Sequence, residues 1–381
     1  MTIAEILGKE ELRRREFPVA HEKVFLAHAG VCPLPRRVAE AITDCAAKST
    51  LGDQEEFMLS RLGDARKLGA QLLHCSPDEI ALVGPTSLAL SFVAAGLKLR
   101  RGDNILIYHD DYPSNVYPWM ALAAQGVQVR LLNTRGLGVI RPKDVLGQVD
   151  EDTKLVALAS CHFISGFRIE VPEIGKMLRD RGILFCLDAI QTLGAFPTTV
   201  EHVDFLAADA HKWLLGPCGA GIFYVRKELQ EKLTPPVYGW HNVRNPNFVA
   251  QEQIVFRSGA VKYEAGTQNL LGVVGLIAAM ELALELGVEK IAAELLRKRD
   301  WLAPELQKRG FTVLNAEGKT NSGSITSFFD PKRDMAALHK QLSEAGILAS
   351  LRTDRSGKNY LRFSPHFYNT DAELQRAVEM L

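Results

Sequence analysis

Asp188, Gln191, His211 and Lys212 fall in one stretch, LDAIQTLGAFPTTVEHVDFLAADAHKWLLGPCGAG, running from Leu187 to Gly221. Asp188 ends an apolar run, Gln191 follows about one helical turn later, and His211-Lys212 follows the next apolar run. A carboxylate held in apolar surroundings stabilises positive charge on a protonated heterocyclic nitrogen, and a lysine set against a carbonyl-bearing cofactor forms a Schiff base. Those are the needs of pyridoxal 5′-phosphate (PLP). The turn Gly216-Pro217-Cys218-Gly219 after the lysine lets backbone approach such a site closely. Each residue also has an ordinary reading, because most lysines are solvated and an Asp at a strand end commonly caps a turn. Lys212 is set apart by the strand before it and by Trp213-Leu214-Leu215 after it, and Asp188 by its company.

These residues need a scaffold that brings the ends of successive strands together. Between about 79 and 226, short apolar runs at 80–84, 104–108, 127–132, 155–160, 183–188, 205–208 and 220–225 alternate with helical periods at 36–50, 54–74, 87–98, 114–125, 142–149 and 172–181. Continuous apolar strands separated by helices predict an α/β fold with a mainly parallel seven-stranded sheet covered on both faces. Ligands bind at the carboxyl ends of such strands, where Thr86-Ser87, Asp110-Asp111, His162, Asp188 and His211-Lys212 gather. Residues 234–264, rich in Pro, Asn and Gly, read as an irregular loop region. A long helical pattern over 270–308, with Gly287 as its break, leads into a small α+β unit. That unit has strands at 311–314, 323–329, 347–351 and 360–364 and helices at 334–345 and 371–380. The expected division is a large domain over 20–265 and a linking helix plus small domain over 266–381, with 1–19 packed on the latter.

With 381 residues the chain has the length of about two ordinary domains. Lys plus Arg and Asp plus Glu are both 45, so a diffuse basic surface for nucleic acid or anionic lipid is not supported. Cys32, Cys45, Cys75, Cys161, Cys186 and Cys218 form no C-x-x-C pair, which argues for a reducing compartment and against a zinc ribbon; no metal site is expected. The N-terminus mixes Glu and Arg and has no apolar core of a signal peptide, and the charge-free stretch Ile80 to Leu97 is interrupted by Gly84-Pro85-Thr86-Ser87. A cytoplasmic protein is expected.

The D-x-x-Q of Asp188 and Gln191, followed by the H-K-W-L-x-G-P-x-G of 211–219, resembles the class V aminotransferase family of fold-type I PLP enzymes. That group includes cysteine desulfurases, selenocysteine lyases, kynureninases and isopenicillin-N-epimerase-like proteins, and the resemblance runs from about Phe25 to the C-terminus. It implies that Lys212 carries the cofactor as a Schiff base and moves the substrate's α-proton. Asp188 would face the pyridine nitrogen and Gln191 the phenolic oxygen. Thr86 and Ser87, otherwise an ordinary helix start, would bind the phosphate with His211. Asp209 stands where the desulfurases usually have Ser, and its carboxylate would repel a phosphate. In DDYPSNVYPW (110–119) the resemblance makes Tyr112 the residue that stacks on the cofactor ring, against an ordinary loop tyrosine packed on the core. Tyr263 to Asn269 resembles the E-x-G-T-x-N signature, whose Thr, here Thr267, reaches the phosphate of the neighbouring subunit; a homodimer with shared sites follows. LRFSPHFYNT (361–370) resembles the R-x-S-x-x-x-Y-N-T segment and makes Arg362 the fork for the substrate carboxylate, where an exposed ladder residue is the ordinary alternative.

PLP permits several reactions, and the surrounding side chains decide among them. Desulfurases carry a nucleophilic Cys on a loop some fifteen residues before the carboxylate-binding Arg, and 346–360 contains none, so that activity is disfavoured. Cys218 sits in a tight turn, a poor place for a mobile nucleophile. His162 is a candidate for the substrate side of the site, or a hydrogen-bonded core histidine. Arg352 and His366 are candidates for reading a second substrate carboxylate. The expected activity is PLP-dependent chemistry on an α-amino acid with aminotransferase-type reaction leading, and a carbon–sulfur or other β-lyase or an epimerase as alternatives. A PLP-fold protein turned binding module would have no chemical need of Asp188, Gln191, His211, Lys212 and Arg362 together. A nucleotide-binding protein is a weaker rival, since neither G-x-G-x-x-G nor a P-loop opens any helix.

Overall fold

In the computed structural model, which describes residues 1–315 and 320–381, a seven-stranded sheet forms the centre. Its strand order in space is Ile80–Leu82, Gly221–Val225, Phe205–Asp209, Leu184–Asp188, Thr153–Ala159, Asn104–Ile107 and Gln128–Leu131. Only Gly221–Val225 runs against its neighbours; the remaining pairings are parallel, as the continuous apolar runs predict. Side chains alternate across the pleat into two cores. Leu106, Val156, Leu158, Phe185, Leu187 and Leu206 enter one, and Ile105, Leu155, Ala157, Cys186, Phe205 and Phe223 the other. Each fully buried Leu or Phe contributes about 1.5–3 kcal/mol relative to exposure, so the register that places both sets indoors is strongly specified.

One face of the sheet is covered by helices Arg36–Lys48, Gln54–Leu73, Val171–Arg179 and Leu270–Leu286, and the other by Thr86–Gly96. Leu270–Leu286 is buried along most of its length against the first two of these, so it belongs to the body around the sheet; the path to the smaller unit starts one residue later. There Gly287 adopts φ +81, which favours glycine, and the chain bends by 78° into Val288–Lys308. No single helix among the described residues is long and apolar enough to cross a membrane.

The smaller unit holds an antiparallel sheet ordered Ser350–Thr353, Asn359–Phe363, Thr326–Phe329, Thr312–Val313, with helices Met335–Glu344 and Asp371–Glu379. The expected strand 347–351 divides in two, because Ile347–Leu348 pairs with Val24–Phe25. Residues 24–27, placed by sequence with the large unit, thus lie along the small unit's strands, and Ala27 bridges to Ser364. The N-terminal helices Ile3–Gly8 and Glu10–Glu16 close the seam: Arg13 pairs with Glu373, and Phe17 stacks on Tyr368 at 4.1 Å. The helix expected over 114–125 is instead three short turns, Pro113–Asn115, Tyr117–Met120 and Ala121–Gln125. Pro113 and Pro118 remove donors, and side-chain bonds replace them: Asn115 donates to Asp111 and Trp119 to Asn115.

Candidate active site

Lys212 follows the Phe205–Asp209 strand, and Asp188 ends the adjacent Leu184–Asp188 strand, so parallel pairing alone puts both at one sheet edge. Lys212 is 6% exposed, and burial lowers its amine to about 8 against the opposing pull of Asp188; Arg362 and Arg352 push it further down. An amine with that pKa gains a large neutral fraction at mildly alkaline pH, as a nucleophile and proton carrier must. Asp188 is buried, and burial raises its carboxyl above the ordinary range while Ile190 N–H (3.0 Å to Oδ1) and Lys212 hold it down. The Tyr112 ring lies with its centroid 5.2 Å from Lys212 Nζ, half exposed and with its other contacts to Phe163.

Gln191 is held at both ends. Trp213 Nε1 donates to its Oε1 (2.8 Å), and its Nε2 donates to Ala29 O (3.2 Å), which fixes the amide so that a second N–H remains to offer. Thr86 opens its helix after Pro85, and its hydroxyl accepts from Asp209 N–H (2.9 Å), tying the helix start to the lysine-bearing strand. The first-turn N–H groups there, with Ser87 beside them, form an anion-binding end. Asp209 turns away from it: its carboxylate accepts from Ala210 N–H (2.7 Å) and Gly219 N–H (3.1 Å). His211 Nδ1 lies 3.3 Å from Asp209 Oδ2, yet the angles make no hydrogen bond. Gly84 packs on the same turn so closely that a Cβ there would meet Gly219 at 2.7 Å.

Arg362 projects from the Asn359–Phe363 strand and is 1% exposed. It donates to Phe163 O (2.6 Å) and Ser350 Oγ (3.3 Å), its buried Nε has no partner, and burial next to Arg352 lowers it to about 9. A buried guanidinium with only neutral acceptors is costly unless an anion arrives.

The family model described as Aminotransferase class-V matches residues 24–377. The chain belongs to that family. A probable cysteine desulfurase of Methanothermobacter thermautotrophicus is 30% identical over 99% of this chain and 98% of its own, and an uncharacterized aminotransferase of Bacillus subtilis is 27% identical over 97% and 96%. Among solved structures, a cysteine desulfurase of Thermococcus onnurineus superposes with a TM-score of 0.89 at 23% identity, covering 96% of this chain and 95% of that one. A cystine C-S lyase in complex with cysteine persulfide gives 0.87 at 21%, covering 95% and 98%. The fold is that of the fold-type I PLP enzymes, and PLP is the family's cofactor.

The residues present fit that cofactor. Among the described residues, Asp188 is a buried carboxylate whose one hydrogen bond comes from Ile190, Lys212 is a buried amine without a hydrogen-bond partner, and Gln191 has an N–H to spare. Thr86, Ser87 and His211 would hold its phosphate.

Two expected residues take other places. His162 is buried with both nitrogens engaged, Nε2 with Asp110 O (2.9 Å) and Nδ1 with Ser165 N–H (3.0 Å), and burial lowers it to about 4. It pins the loop over 110–112 as a neutral core histidine and has no group free for substrate. His366 is likewise saturated by Trp213 O (2.9 Å) and Phe367 N–H (2.9 Å) and lowered by burial to about 3, so it reads no carboxylate. Thr267 is exposed, donates to Glu55 Oε1 (3.3 Å), and lines a cavity of about 290 Å³ with Gly84 and Gly219.

Sequence reasoning left Asp111 and Trp213 without roles. Asp111 accepts from Tyr112 N–H (2.7 Å), Asn115 Nδ2 (3.0 Å) and Ala159 N–H (3.1 Å), and so fixes the Tyr112 loop to the strand end beside Asp188. Burial and the Asp188 charge raise it to about 7. Its signal was present in the Asp110-Asp111 pair after a strand, and Trp213's in its position next to the lysine.

Proposed function

We propose that this chain is a PLP-dependent enzyme acting at the Cα–H bond of an α-amino acid, with amino transfer as its reaction. When bound, PLP supplies an electron sink that makes the α-proton labile. Asp188 keeps the positive charge of that sink in place, and Gln191, oriented by Trp213, donates to its oxygen. Tyr112 covers the ring, Arg362 binds the α-carboxylate, and Lys212 takes and returns the proton.

The observation that carries the reading is that Lys212 is a buried amine, lowered by burial to about 8 and without a hydrogen-bond partner among the described residues, at the sheet end it shares with Asp188. His162 and His366 are saturated and neutral, and among the described cysteines near the site Cys32 and Cys161 are buried with thiols pushed up to about 12 by burial. Amino transfer needs one proton carrier between neighbouring carbons, and Lys212 supplies it. A persulfide-forming desulfurase needs a thiolate, and the segment 346–360 has no Cys. The second reading is elimination of a thiol or persulfide, which leaves without protonation; the curated and solved relatives named as desulfurases and C-S lyase favour it. A homodimer belongs to the same proposal. Thr267 is exposed, and Leu59, Trp240, Phe248, Val249 and Ile254 expose apolar surface that a second copy would cover.

The test is the visible spectrum of the purified protein before and after borohydride, then assays of individual amino acids for keto acid, sulfide and loss of chirality. Keto acid formation that depends on an added 2-oxo acid supports amino transfer, and sulfide or persulfide without an acceptor supports elimination. A protein that takes up no PLP refutes both.

A further inference from the structure

Arg362 does not stand alone in its pocket. A Cβ built on Gly30 would lie 3.7 Å from Arg352 Nη2 and 3.9 Å from Arg362 Nη2, so the two guanidinium groups converge on the same few ångströms of backbone. After burial, Arg352 is the largest influence lowering Arg362, and both arginines act on Lys212 in the same sense. Like charges that converge in a partly dry pocket repel unless anions intervene.

Among the described residues no carboxylate does. Arg352 is half-buried, and its one hydrogen bond is to the carbonyl of its own neighbour Leu351 (3.0 Å). Arg355, three residues on, is by contrast neutralised by Asp110 at 2.6 Å. The carboxylates nearest the site are engaged elsewhere: Asp111 and Asp209 by backbone amides, and Asp188 on the cofactor side. One α-carboxylate would neutralise one guanidinium and leave the second unpaired.

We infer that the substrate is an amino acid carrying a second acid group on its side chain, a carboxylate or sulfinate, and that Arg352 binds that group while Arg362 binds the α-carboxylate. This rests on the reaction proposed above and names its substrate class. The dianionic ligand then gives each guanidinium an anionic partner. A neutral amino acid satisfies Arg362 and leaves Arg352 facing nothing. Amino transfer fits this class well, since donor and acceptor would both be dicarboxylates read by the same two residues.

The experiment has two arms, both on the PLP-loaded enzyme. In the first, calorimetry measures binding of succinate, glutarate and propionate to wild type, Arg352→Ala, Arg352→Lys and Arg362→Ala. Arg352→Ala should lower affinity for the better dicarboxylate by about tenfold to a hundredfold, the worth of one charge-assisted hydrogen-bonded pair, and Arg352→Lys should restore part of it. In the second, the ratio of kcat/KM for aspartate or glutamate to that for alanine should favour the acidic substrate in wild type and fall at least tenfold in Arg352→Ala. A ratio and a dicarboxylate affinity that move less than twofold overturn the inference, as does an equal loss for propionate and dicarboxylate, which would place both arginines on one carboxylate. Arg352-dependent dicarboxylate binding without turnover of any amino acid would support this inference and overturn the proposed reaction. Turnover of neutral amino acids alone would do the reverse.

Discussion

Replacing Asp188 by Asn tests the centre of the site in a way that separates stability from chemistry. Asp188 and Asp111 flank the end of the Thr153–Ala159 strand, both buried, and each carboxyl is raised, chiefly by burial. A carboxyl with a raised folded pKa destabilises the protein above that pKa, where both states are ionised, and not below the unfolded value near 3.8. For Asp111, raised from 3.8 to about 7, holding the charge at pH 8 costs on the order of 4 kcal/mol, part of it owed to Asp188. Asp188→Asn removes its own burial penalty and part of that one, and it forfeits the attraction to the Lys212 ammonium. The net expected gain for the cofactor-free protein is about 1–3 kcal/mol at pH 8, or roughly 1–4 °C in Tm for a chain of this size. The gain should shrink steadily as pH falls from 7 towards 4. Loaded with PLP, the same variant should lose at least about 100-fold in kcat, because an amide cannot hold the ring's positive charge. The assay is a set of melting curves for both proteins with and without PLP between pH 4.5 and 8.5, beside turnover at pH 8. A cofactor-free variant destabilised equally at every pH would refute the electrostatic account, and full turnover would remove Asp188 from the cofactor.

Lys212→Ala should abolish turnover and leave PLP removable by gel filtration after borohydride; a variant still covalently labelled would move the attachment to another lysine. Because Lys212 sits at about 8 and only the neutral amine attacks a carbonyl, the rate at which cofactor-free protein takes up PLP should rise with pH through about 8, and a rate flat from pH 6.5 to 9 would contradict the burial argument. Trp213→Phe leaves Gln191 Oε1 buried without a donor, at a cost of about 1–3 kcal/mol, and should shift the PLP absorbance band as the amide loses its orientation. Gly138→Ala places a Cβ into the His162 ring at φ +69, so it should cost about 2–5 kcal/mol, seen as a Tm lower by several degrees; an unchanged Tm would mean the His162 loop yields freely. Arg362→Ala should raise KM for amino acids at least tenfold with PLP retained; loss of PLP instead would misplace the carboxylate site.

The sheet was legible because burial on both faces forces unbroken apolar strands, and the runs at 155–160, 183–188 and 205–208 have no other use. The turns of 113–125 were less legible, since they depend on prolines, on local side-chain bonds among Asp111, Asn115 and Trp119, and on the bond Asp111 accepts from the distant Ala159 N–H. The pairing of Val24–Phe25 with Ile347–Leu348 left no local trace, because a two-residue strand carries no periodicity. His162 and His366 looked available from sequence because nothing local records that Asp110 O and Trp213 O reach their rings.

What the sequence determined by itself was the chemistry on offer: a lysine in apolar company, a strand-end carboxylate, a helix start with Thr86-Ser87, and the order of motifs that marks the class V aminotransferase family. Those are properties of residue type and short spacing. Which groups are charged, saturated or left facing one another was decided only by the tertiary structure. Burial and partner count set them, and both depend on residues far apart in the chain: Trp213 on Gln191, Asp188 on Asp111, and Arg352 beside Arg362 over Gly30.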